Sequence, residues 1–390
     1  MITTPRLLRI TTVPISLEIL LHGQLNFFRN QGFEVLAASS PGKEAESLRQ
    51  GGIPHVSVVM TRKITPLRDI ISLFHLIRLI RSFRPDIVHT HTPKAGLLGM
   101  VASWFCKVPV RMHTVAGLPL MEATGLKKAL LFQAERITYA CATSVYPNSV
   151  GLKQFIRDSI PTKTPLSVIG KGSSNGIDTS FFIRTRPLEA EATRIRQQQG
   201  WTETDIVFCF VGRVVRDKGI GELVKAFKDL LARWKPGFPR LFLLLVGPLE
   251  QDLDPLHIDD LHFLKESKNV FLAGFQTDVR PWMMASDIFV FPSYREGFPN
   301  VVMQASCLEV PSIVSDINGC NEIIRHRETG LIVPVKDSVR LASAMEELLH
   351  NPDMRKAFGR RSREFVIENY DQQYVWQELL KEYMTAIERG

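Results

Sequence analysis

The chain alternates short stretches of uninterrupted apolar residues with longer stretches in which apolar residues recur every three or four positions. The short stretches are rich in Val, Ile, Leu and Phe, which is typical of β-strands that are covered on both faces. The longer stretches have the period of amphipathic helices. Regular alternation of the two predicts βαβ units and therefore parallel sheets.

The strand-like stretches fall into two groups along the chain. The first group comprises LLRITTV, FEVLAAS, HVSVV, DIVHT, VRMHT, SVYP and LSVIG. The second comprises IVFCFVG, LFLLLVG, NVFLAG, DIFVFP, SIVS and GLIVP, and three helical stretches follow it. Each group suffices for a sheet of about six strands, so the pattern predicts an α/β protein with two doubly wound, Rossmann-like domains.

The boundary between these domains is predicted in the polar Gly/Ser stretch GKGSSNGIDTSFF, residues 170–182. We therefore expect an N-terminal domain over residues 1–175 and a C-terminal domain over residues 176–371. Ligands of open parallel sheets bind at the carboxyl ends of the strands. Two such domains facing each other would line one cleft, and residues that directly follow strands are the candidates for function.

Composition narrows the class of protein. Of the 390 residues, 45% are hydrophobic and 23% are charged, as in globular proteins. No apolar stretch reaches the ~18 residues of a membrane span, and the N-terminal residues lack the apolar core of a signal peptide. The five cysteines are scattered without a CxxC motif, which favours reduced thiols in a cytoplasmic protein over disulfides or a zinc site.

Positive charge is concentrated in the first part of the chain. Residues 1–170 carry 20 Lys and Arg against 9 Asp and Glu, a net charge of +11, whereas the other 220 residues have a net charge of −3. This asymmetry suggests that the N-terminal domain faces an anionic partner. In the stretch LRDIISLFHLIRLIRSFRPD, Arg68, His75, Arg78 and Arg81 interleave with apolar residues. We interpret it as an amphipathic helix with a solvated basic edge, ahead of the alternative of a membrane-docking face.

The stretch VGRVVRDKGIGELVKAF has the pattern of a phosphate-binding loop. A strand ends at Gly212, the cations Arg213 and Lys218 follow it, and Gly219 begins a helix. Two cations beside the unpaired N–H groups of a helix N-terminus can hold a diphosphate. Two solvated cations in a polar loop would be the alternative, and the strand–loop–helix context favours the phosphate site over it.

With GRVVRDKG, REGFPNVVMQAS, SDINGCNEII and TGLIVP, the chain resembles the retaining glycosyltransferases of GT-B fold in family 4, which use nucleotide sugars. The stretch PDIVHTHTPKAGLLG is similar to members that build bacterial surface polysaccharides and lipid-linked oligosaccharides. The resemblance covers nearly the whole chain and is strongest over residues 211–334. It implies two domains facing across a cleft, a last helix over about residues 372–390 that packs back on the N-terminal domain, and a hexosyltransferase that needs neither cofactor nor metal.

Family members carry a Glu beside the donor sugar and, after seven intervening residues, a second Glu that reaches the ribose. Glu296 matches the first position, and Gln304 stands at the second. A carboxylate accepts two charge-assisted hydrogen bonds from a ribose diol, whereas an amide has one acceptor and one donor, a difference of roughly 1 kcal/mol. The donor-binding residues that the resemblance implies are Gly212, Arg213, Lys218, Gly274, Phe275, Gly297, Phe298, Pro299, Asn300 and Gln304.

Several residues of the N-terminal domain are further candidates. The resemblance implies that His113, after the strand VRMHT, approaches the donor sugar, so it joins Glu296, Arg213 and Lys218 as a catalytic candidate. His89 and His91 share one strand face and are interpreted as core or acceptor-side residues rather than metal ligands. Lys94 is equally compatible with an anionic acceptor and with a solvated surface position.

One further motif has the residue types of a metal site. Asp252 and Asp254 form an Asp-x-Asp motif beyond a strand. Because the motif lies in a Pro-flanked loop several residues past that strand, we interpret it as a solvated loop and predict no metal site.

The expected reaction transfers a sugar from a nucleoside diphosphate, with a UDP-sugar preferred, to a glycan acceptor. Arg213, Lys218 and the helix dipole would stabilise the departing diphosphate, Glu296 would position the sugar, and closure about residues 170–178 would exclude water. The preferred acceptor is a glycan linked to polyprenyl diphosphate, with the enzyme peripheral on the anionic inner face of the cytoplasmic membrane and no nucleic-acid partner. The alternatives are a sugar-nucleotide epimerase of the same fold and a non-catalytic nucleotide-sugar-binding subunit.

Overall fold

The computed structural model describes residues 4–61, 63–121, 123–235, 238–252 and 254–389. The chain divides into two compact units, one made of residues 1–176 with 372–390 and the other of residues 177–371. Each unit contains a six-stranded sheet in which every pair of neighbouring strands is parallel. No helix within the described ranges is both long and apolar enough to cross a membrane.

Both sheets have the same strand order. The first runs β3-β2-β1-β4-β5-β6 and the second β12-β11-β10-β7-β8-β9, so the predicted doubly wound, Rossmann-like architecture is confirmed. The strands of the first sheet are Arg6–Ile10 (β1), Glu34–Ser39 (β2), His55–Ser57 (β3), Ile87–His91 (β4), Val110–Val115 (β5) and Ser144–Pro147 (β6). Those of the second are Ile206–Val211 (β7), Leu241–Val246 (β8), Val270–Gly274 (β9), Ile288–Phe291 (β10), Ser312–Ser315 (β11) and Gly330–Val333 (β12).

Helices connect these strands and follow the last one. In chain order they are Gln24–Asn30 (α1), Lys43–Gln50 (α2), Pro66–Phe83 (α3), Pro93–Phe105 (α4), Gly125–Cys141 (α5), Val150–Ser159 (α6), Arg186–Gln198 (α7), Ile220–Arg233 (α8), Ile258–Glu266 (α9), Arg280–Met284 (α10), Asn300–Cys307 (α11), Cys320–Ile323 (α12), Ser338–His350 (α13), Pro352–Tyr370 (α14) and Gln372–Arg389 (α15). A π-helical turn at Ser16–Leu20 and 3₁₀ turns at Pro119–Met121 and Arg216–Lys218 complete the regular structure of the described chain.

The strand order creates a topological switch point in each sheet. The first and fourth strands of each unit lie side by side, β1 beside β4 and β7 beside β10, and the chain leaves them in opposite directions. Loops that follow such a strand pair diverge and leave a crevice, which is where ligands of open α/β sheets bind. In the second unit the two loops at this point are the segments after Val211 and after Phe291.

The core of the second unit explains why its strands read as unbroken apolar stretches. All six residues of β7 and all six of β8 are buried. Helix α8 buries a stripe on this sheet that includes Leu223, Val224 and Phe227. Since burial of one large apolar side chain contributes about 1.5–3 kcal/mol, this layer holds the loops after β7 and β10 on a rigid base.

The stretch LSVIG, for which the sequence predicts a strand, does not extend the first sheet. Leu166 forms only a single bridge with Val145 of β6, and the Ser167 N–H donates to the Val145 carbonyl at 3.1 Å. Pro165 precedes the bridge and has no N–H for a sheet ladder, while Gly170 has a φ of 56°, which no strand residue adopts. Strand β6 therefore remains the edge of its sheet.

Helix α15 packs on the first unit through aromatic side chains. The Trp376 ring lies 5.3 Å from that of Phe27, and the Tyr383 ring lies 4.8 Å from that of Phe28. The Trp376 indole N–H also donates to Asn175 at 2.7 Å, directly before the end of the first unit's main segment. These contacts bury the apolar face of α15, because Val375, Trp376, Leu379 and Tyr383 are all buried.

Polar side chains are buried beneath α15 as well. Arg9 is fully buried, and its guanidinium donates to Gln24 and to the Tyr383 hydroxyl and lies 3.1 Å from His89 Nδ1. His89 Nδ1 lies 2.6 Å from the same hydroxyl, and its Nε2 lies 2.7 Å from Thr114 Oγ1. Both nitrogens of His89 are thus occupied within the core, which agrees with the core interpretation of this residue.

His113, on β5, is buried on the opposite face of the same sheet. Its Nδ1 lies 2.8 Å from Thr90 Oγ1, and its ring packs so closely on α4 that a Cβ at Gly96 would lie 2.4 Å from Cε1. Burial lowers the pKa of His113 to about 4. It also lowers the pKa values of His89 and His91 well below the usual range. The folded protein therefore keeps these three imidazoles neutral.

This burial predicts acid sensitivity of the first unit. The unfolded chain takes up a proton on each histidine below pH ~6.5, whereas folded His113 does so only near pH 4. Stability is thus fully present above pH ~6.5 and falls as the pH drops toward 4, by roughly 2 kcal/mol per such residue at pH 5. We expect the urea midpoint of unfolding, followed by circular dichroism, to fall between pH 7 and pH 5.

The variant His113→Asn should lose part of that pH dependence, whatever its stability at pH 7. The exposed His75 is the matched control, and His75→Asn should retain the full pH dependence of the wild type. An unchanged pH dependence in His113→Asn would contradict this account.

Candidate functional site

The two loops at the switch point of the second unit carry most of the predicted donor-site residues. The loop after β7 begins at Gly212 and leads through the 3₁₀ turn Arg216–Lys218 into α8. The loop after β10 runs from Pro292 to Pro299 and leads into α11. Gly219, the first residue before α8, has a φ of 71°, and a Cβ there would lie 2.1 Å from the Pro292 carbonyl oxygen. Only glycine allows the start of α8 to lie this close to the second loop.

An ion pair joins these two loops. The Lys218 ammonium donates to Glu296 Oε1, and only 15% of the Lys218 side chain and 19% of the Glu296 side chain are exposed. The Ser293 hydroxyl donates to the same carboxylate oxygen at 3.1 Å. The structure therefore brings together the predicted phosphate-binding lysine and the predicted sugar-binding carboxylate, although 78 positions separate them along the chain.

Arg213 lies at the more open side of the same loop. Its side chain is 44% exposed, and Nη1 lies 3.3 Å from Glu250 Oε2 in the loop after β8. The side chain is therefore free to reorient toward a ligand at a small energetic cost, because exposed pairs contribute only about 0–1 kcal/mol.

Two more ion pairs involve the turn that carries Lys218. Arg216 Nε lies 3.2 Å from Asp254 Oδ1, and Arg295 Nη2 lies 3.0 Å from Asp217 Oδ2. The Tyr294 N–H also donates to the Asp217 carbonyl at 3.0 Å. The 3₁₀ turn is thus held from the loop after β8 on one side and from the loop after β10 on the other.

The first turn of α8 completes the anion-binding potential of this region. The first N–H groups of a helix have no partner within the helix and form its positive end. Glu222 of this turn accepts from the Tyr294 hydroxyl at 2.6 Å, so its carboxylate is engaged by the second loop. A positive helix end, Lys218 and Arg213 together can bind a diphosphate and stabilise charge that develops on it.

The turn before α11 is packed tightly against a neighbouring segment. A Cβ at Gly319 would lie 2.7 Å from the Gly297 carbonyl oxygen and 2.8 Å from Phe298 Cα. The Phe298 side chain is buried, with its ring 5.1 Å from that of Tyr370. Phe298 therefore anchors the turn in the core through its side chain, and Asn300 starts α11 directly after Pro299.

The residues predicted to contact ribose and base lie on other elements of the unit. Gln304 is half-buried on α11, one turn after the helix begins. Gly274 ends β9 with a φ of 65°, and its carbonyl accepts from the Gly247 N–H at 2.8 Å. The Phe275 side chain is 73% exposed. Their contacts with a nucleotide stay predictions.

The predicted residues of the first unit lie in a different environment. The three histidines are buried, namely His89, His91 and His113. A direct contact of His113 with a sugar stays a prediction, and the buried position does not favour it. Both ring nitrogens of His91 lack a hydrogen-bond partner among the described residues, and the ring stacks on His89 at 4.5 Å. The Lys94 ammonium pairs with Asp69, and both side chains are largely buried, which is not the environment of a solvated lysine.

The sequence interpretation missed Asp254. The sequence predicts a solvated loop there, but Asp254 Oδ2 accepts from the Asp217 N–H at 2.6 Å and Oδ1 pairs with Arg216. Asp252 is exposed, as expected for such a loop. Within the described ranges no group of three or more His, Cys, Asp or Glu side chains is placed to hold a metal ion. Ser293, which supports Glu296, was missed too, and its position directly before the acidic turn is the only sequence signal for it.

Comparison with known proteins finds similarity to glycosyltransferases along nearly the whole chain. Residues 23–172 match the family model described as Glycosyl transferase 4-like domain, and residues 191–365 match the one described as Glycosyl transferases group 1. The capsular polysaccharide biosynthesis glycosyltransferase CapM of Staphylococcus aureus is 33% identical over 387 residues, which cover 99% of this chain and 98% of CapM.

Two further proteins are similar over much of their length. The UDP-Gal:α-D-GlcNAc-diphosphoundecaprenol α-1,3-galactosyltransferase of Escherichia coli is 29% identical over 71% of this chain and 70% of its own. The crystal structure of Anabaena HepE in complex with UDP and glucose has a TM-score of 0.80 at 17% identity, covering 98% of this chain and all of that one, which is a likeness in fold. From the CapM identity, the two family models and the two parallel sheets it follows that the chain belongs to the family 4 glycosyltransferases of GT-B fold.

Proposed function

We propose that this glycosyltransferase moves a sugar from a UDP-sugar to a glycan linked to polyprenyl diphosphate, with retention of configuration at the anomeric carbon, in the synthesis of bacterial polysaccharide or oligosaccharide. The observation that carries the proposal is the Lys218–Glu296 pair at the switch point of the second unit. A cation for the diphosphate and a carboxylate for sugar hydroxyls are adjacent there, as a sugar nucleotide requires. The E. coli relative, whose name specifies a UDP-sugar and a diphosphoundecaprenol acceptor, supports the choice of substrates.

In the proposed reaction the bond from the anomeric carbon to the β-phosphate oxygen breaks, and its electron pair passes to the diphosphate. The acceptor oxygen forms the new bond from the same face, and its proton passes to the departing phosphate oxygen. Lys218, Arg213 and the positive end of α8 stabilise the charge that builds up on the diphosphate. Glu296, released from Lys218 by the phosphate, accepts hydrogen bonds from the sugar hydroxyls.

We also propose that the enzyme works without a metal ion or other cofactor. The two cations and the helix terminus supply the positive charge that a divalent ion supplies elsewhere. Turnover should therefore be unaffected by EDTA.

The roles of the ion pair are tested by Lys218→Ala and Glu296→Gln. Each variant removes an interaction that strengthens in the transition state, so kcat should fall about 10²-fold or more. The assay measures release of UDP or GDP from a panel of nucleotide sugars, with and without a synthetic polyprenyl-diphosphate-linked glycan. The exposed Lys225 on α8 offers the control Lys225→Ala, which should retain wild-type turnover.

Three outcomes of that assay would contradict the proposal. Interconversion of free nucleotide sugars without acceptor would identify an epimerase. Binding of UDP without release from any donor would identify a binding subunit. Wild-type turnover in both Lys218→Ala and Glu296→Gln would place the reaction elsewhere.

Gln304 provides a separate test of nucleotide placement. A carboxylate at this position restores a charged acceptor for the ribose hydroxyls, so Gln304→Glu should keep or tighten UDP affinity, by about fivefold at most. Isothermal titration calorimetry with UDP measures the change. A large loss of affinity would show that Gln304 contacts some group other than ribose.

We propose further that helix α3 holds the enzyme on the inner face of the cytoplasmic membrane. The exposed side chains of this helix include the apolar Leu67, Ile70, Ile71 and Phe74 and the basic Arg68, Arg78 and Arg81. Leu67 is 80% exposed and Phe74 66% exposed. An exposed apolar patch bordered by cations is more stable in an anionic lipid interface than in water, and this favours a membrane-docking face over a merely solvated basic edge.

Vesicle flotation tests the membrane proposal. The wild type should float with vesicles that contain phosphatidylglycerol at low salt, and less at high salt. The double substitution of Leu67→Ser and Phe74→Ser should reduce the bound fraction about tenfold, because two apolar side chains no longer enter the interface. The matched control is Ile258→Ser on α9 of the second unit, where Ile258 is 75% exposed. If the wild type does not bind these vesicles at low salt, the membrane proposal is wrong.

A further inference from the structure

The loop after β8 makes an unusual set of contacts with the lysine-bearing turn. Asp254 binds the turn at three points. Its carbonyl accepts from the Arg216 N–H at 3.3 Å, its Oδ2 accepts from the Asp217 N–H at 2.6 Å, and its Oδ1 lies 3.2 Å from Arg216 Nε. One residue thus engages two consecutive backbone N–H groups and a side chain of the turn.

The turn itself has little internal support. It is a single 3₁₀ turn of three residues, Arg216–Lys218. The Lys218 N–H donates to Val215 at 3.3 Å and the Gly219 N–H to Arg216 at 2.9 Å. A 3₁₀ turn has poorer hydrogen-bond geometry than an α-helix, so external bonds decide how firmly it is held. The bond from the Asp217 N–H to the Asp254 carboxylate is charge-assisted, and it holds the backbone of the turn directly.

The orientation of Lys218 depends on this turn. Lys218 is its last residue, and Gly219 follows with a φ of 71° at the start of α8. A rotation of the turn would shift the Lys218 side chain and the first N–H groups of α8 together. Displacements of about 1 Å at such groups can change turnover by about two orders of magnitude.

We propose that Asp254 is a positioning residue for the donor diphosphate: its carboxylate fixes the turn so that Lys218 and the N-terminal amides of α8 face the same ligand. The inference deepens the proposed function and rests on it for the identity of the ligand. Asp254 does not touch the substrate in this role, and its carboxylate acts only through the Asp217 N–H and Arg216.

The neighbouring Asp252 distinguishes this role from a metal site. An Asp-x-Asp metal site would need both carboxylates, but Asp252 is exposed while Asp254 is directed onto the turn. Substitution of Asp254 should therefore weaken UDP binding, and substitution of Asp252 should not. This makes Asp252 a control in the same loop, two positions away.

The experiment compares Asp254→Ala, Asp254→Asn and Asp252→Ala in the full chain. Asp254→Ala removes a charge-assisted acceptor, so the Kd for UDP in calorimetry should rise about tenfold. Asp254→Asn retains an oxygen for the Asp217 N–H and should bind UDP within about threefold of wild type. Asp252→Ala should bind UDP with the wild-type Kd. In turnover assays the KM for the donor should rise in Asp254→Ala, and the KM for the acceptor should not.

Hydrogen exchange of the peptide that covers residues 216–219 gives a readout independent of activity. Protection there should fall in Asp254→Ala and persist in Asp254→Asn and Asp252→Ala. If the wild type binds no UDP, the proposed function fails, and the exchange data still decide whether Asp254 holds the turn. If Asp254→Ala does not fold, Asp254→Ser, whose hydroxyl is too short to span the same distance, takes its place.

Two results would overturn the inference. One is wild-type UDP affinity together with wild-type protection of residues 216–219 in Asp254→Ala. The other is an equal loss in Asp252→Ala and Asp254→Ala accompanied by a requirement for a divalent cation, tested with Mn²⁺ and EDTA, which would make the loop a metal site.

Discussion

The candidate site of the second unit depends on one ion pair between distant parts of the chain, Lys218 after β7 and Glu296 after β10. Parallel pairing of β7 with β10 places the two loops side by side, and Gly219 allows α8 to approach the second loop. Both charges are largely withdrawn from water, where an unpartnered charge is costly. Each therefore satisfies the other, and in the proposed reaction the sugar nucleotide would replace this contact with its phosphate charge and its hydroxyl groups.

The same principle extends to the other cations of this region, each of which has a carboxylate within reach. The pairs are Arg213 with Glu250, Arg216 with Asp254 and Arg295 with Asp217. Like charges packed this closely would otherwise repel one another and loosen the loops. Because partly exposed pairs are individually weak, a doubly charged diphosphate can displace the more exposed carboxylates without a large penalty. In the proposed function these acids would keep the cations in place before the diphosphate binds.

The fold could be predicted from the sequence because strands buried on both faces leave a clear signal, as β7 and β8 show. The proximity of Lys218 and Glu296 could be predicted because each lies in the loop after such a strand, and in a parallel sheet the loops at the carboxyl ends of neighbouring strands converge. The role of Asp254 could not be predicted, because nothing in the sequence of a Pro-flanked loop indicates that its carboxylate accepts a hydrogen bond from the turn before α8. The strand predicted for LSVIG was wrong for the opposite reason. Its apolar pattern is that of a strand, but Pro165 and Gly170 prevent it from pairing with β6 beyond one bridge.

The charged and titratable side chains of the two units lie in different environments. In the second, cations and carboxylates remain partly accessible and paired, which suits a site that exchanges ligands. In the first, the sheet contains a buried Arg9 and four buried histidines, His55, His89, His91 and His113, whose pKa values burial lowers. Arg78 and Arg81 extend the apolar surface of α3 rather than surround a pocket of the sheet. These two arginines are therefore part of the outer surface of the first unit, where they would face the anionic membrane of the proposed function.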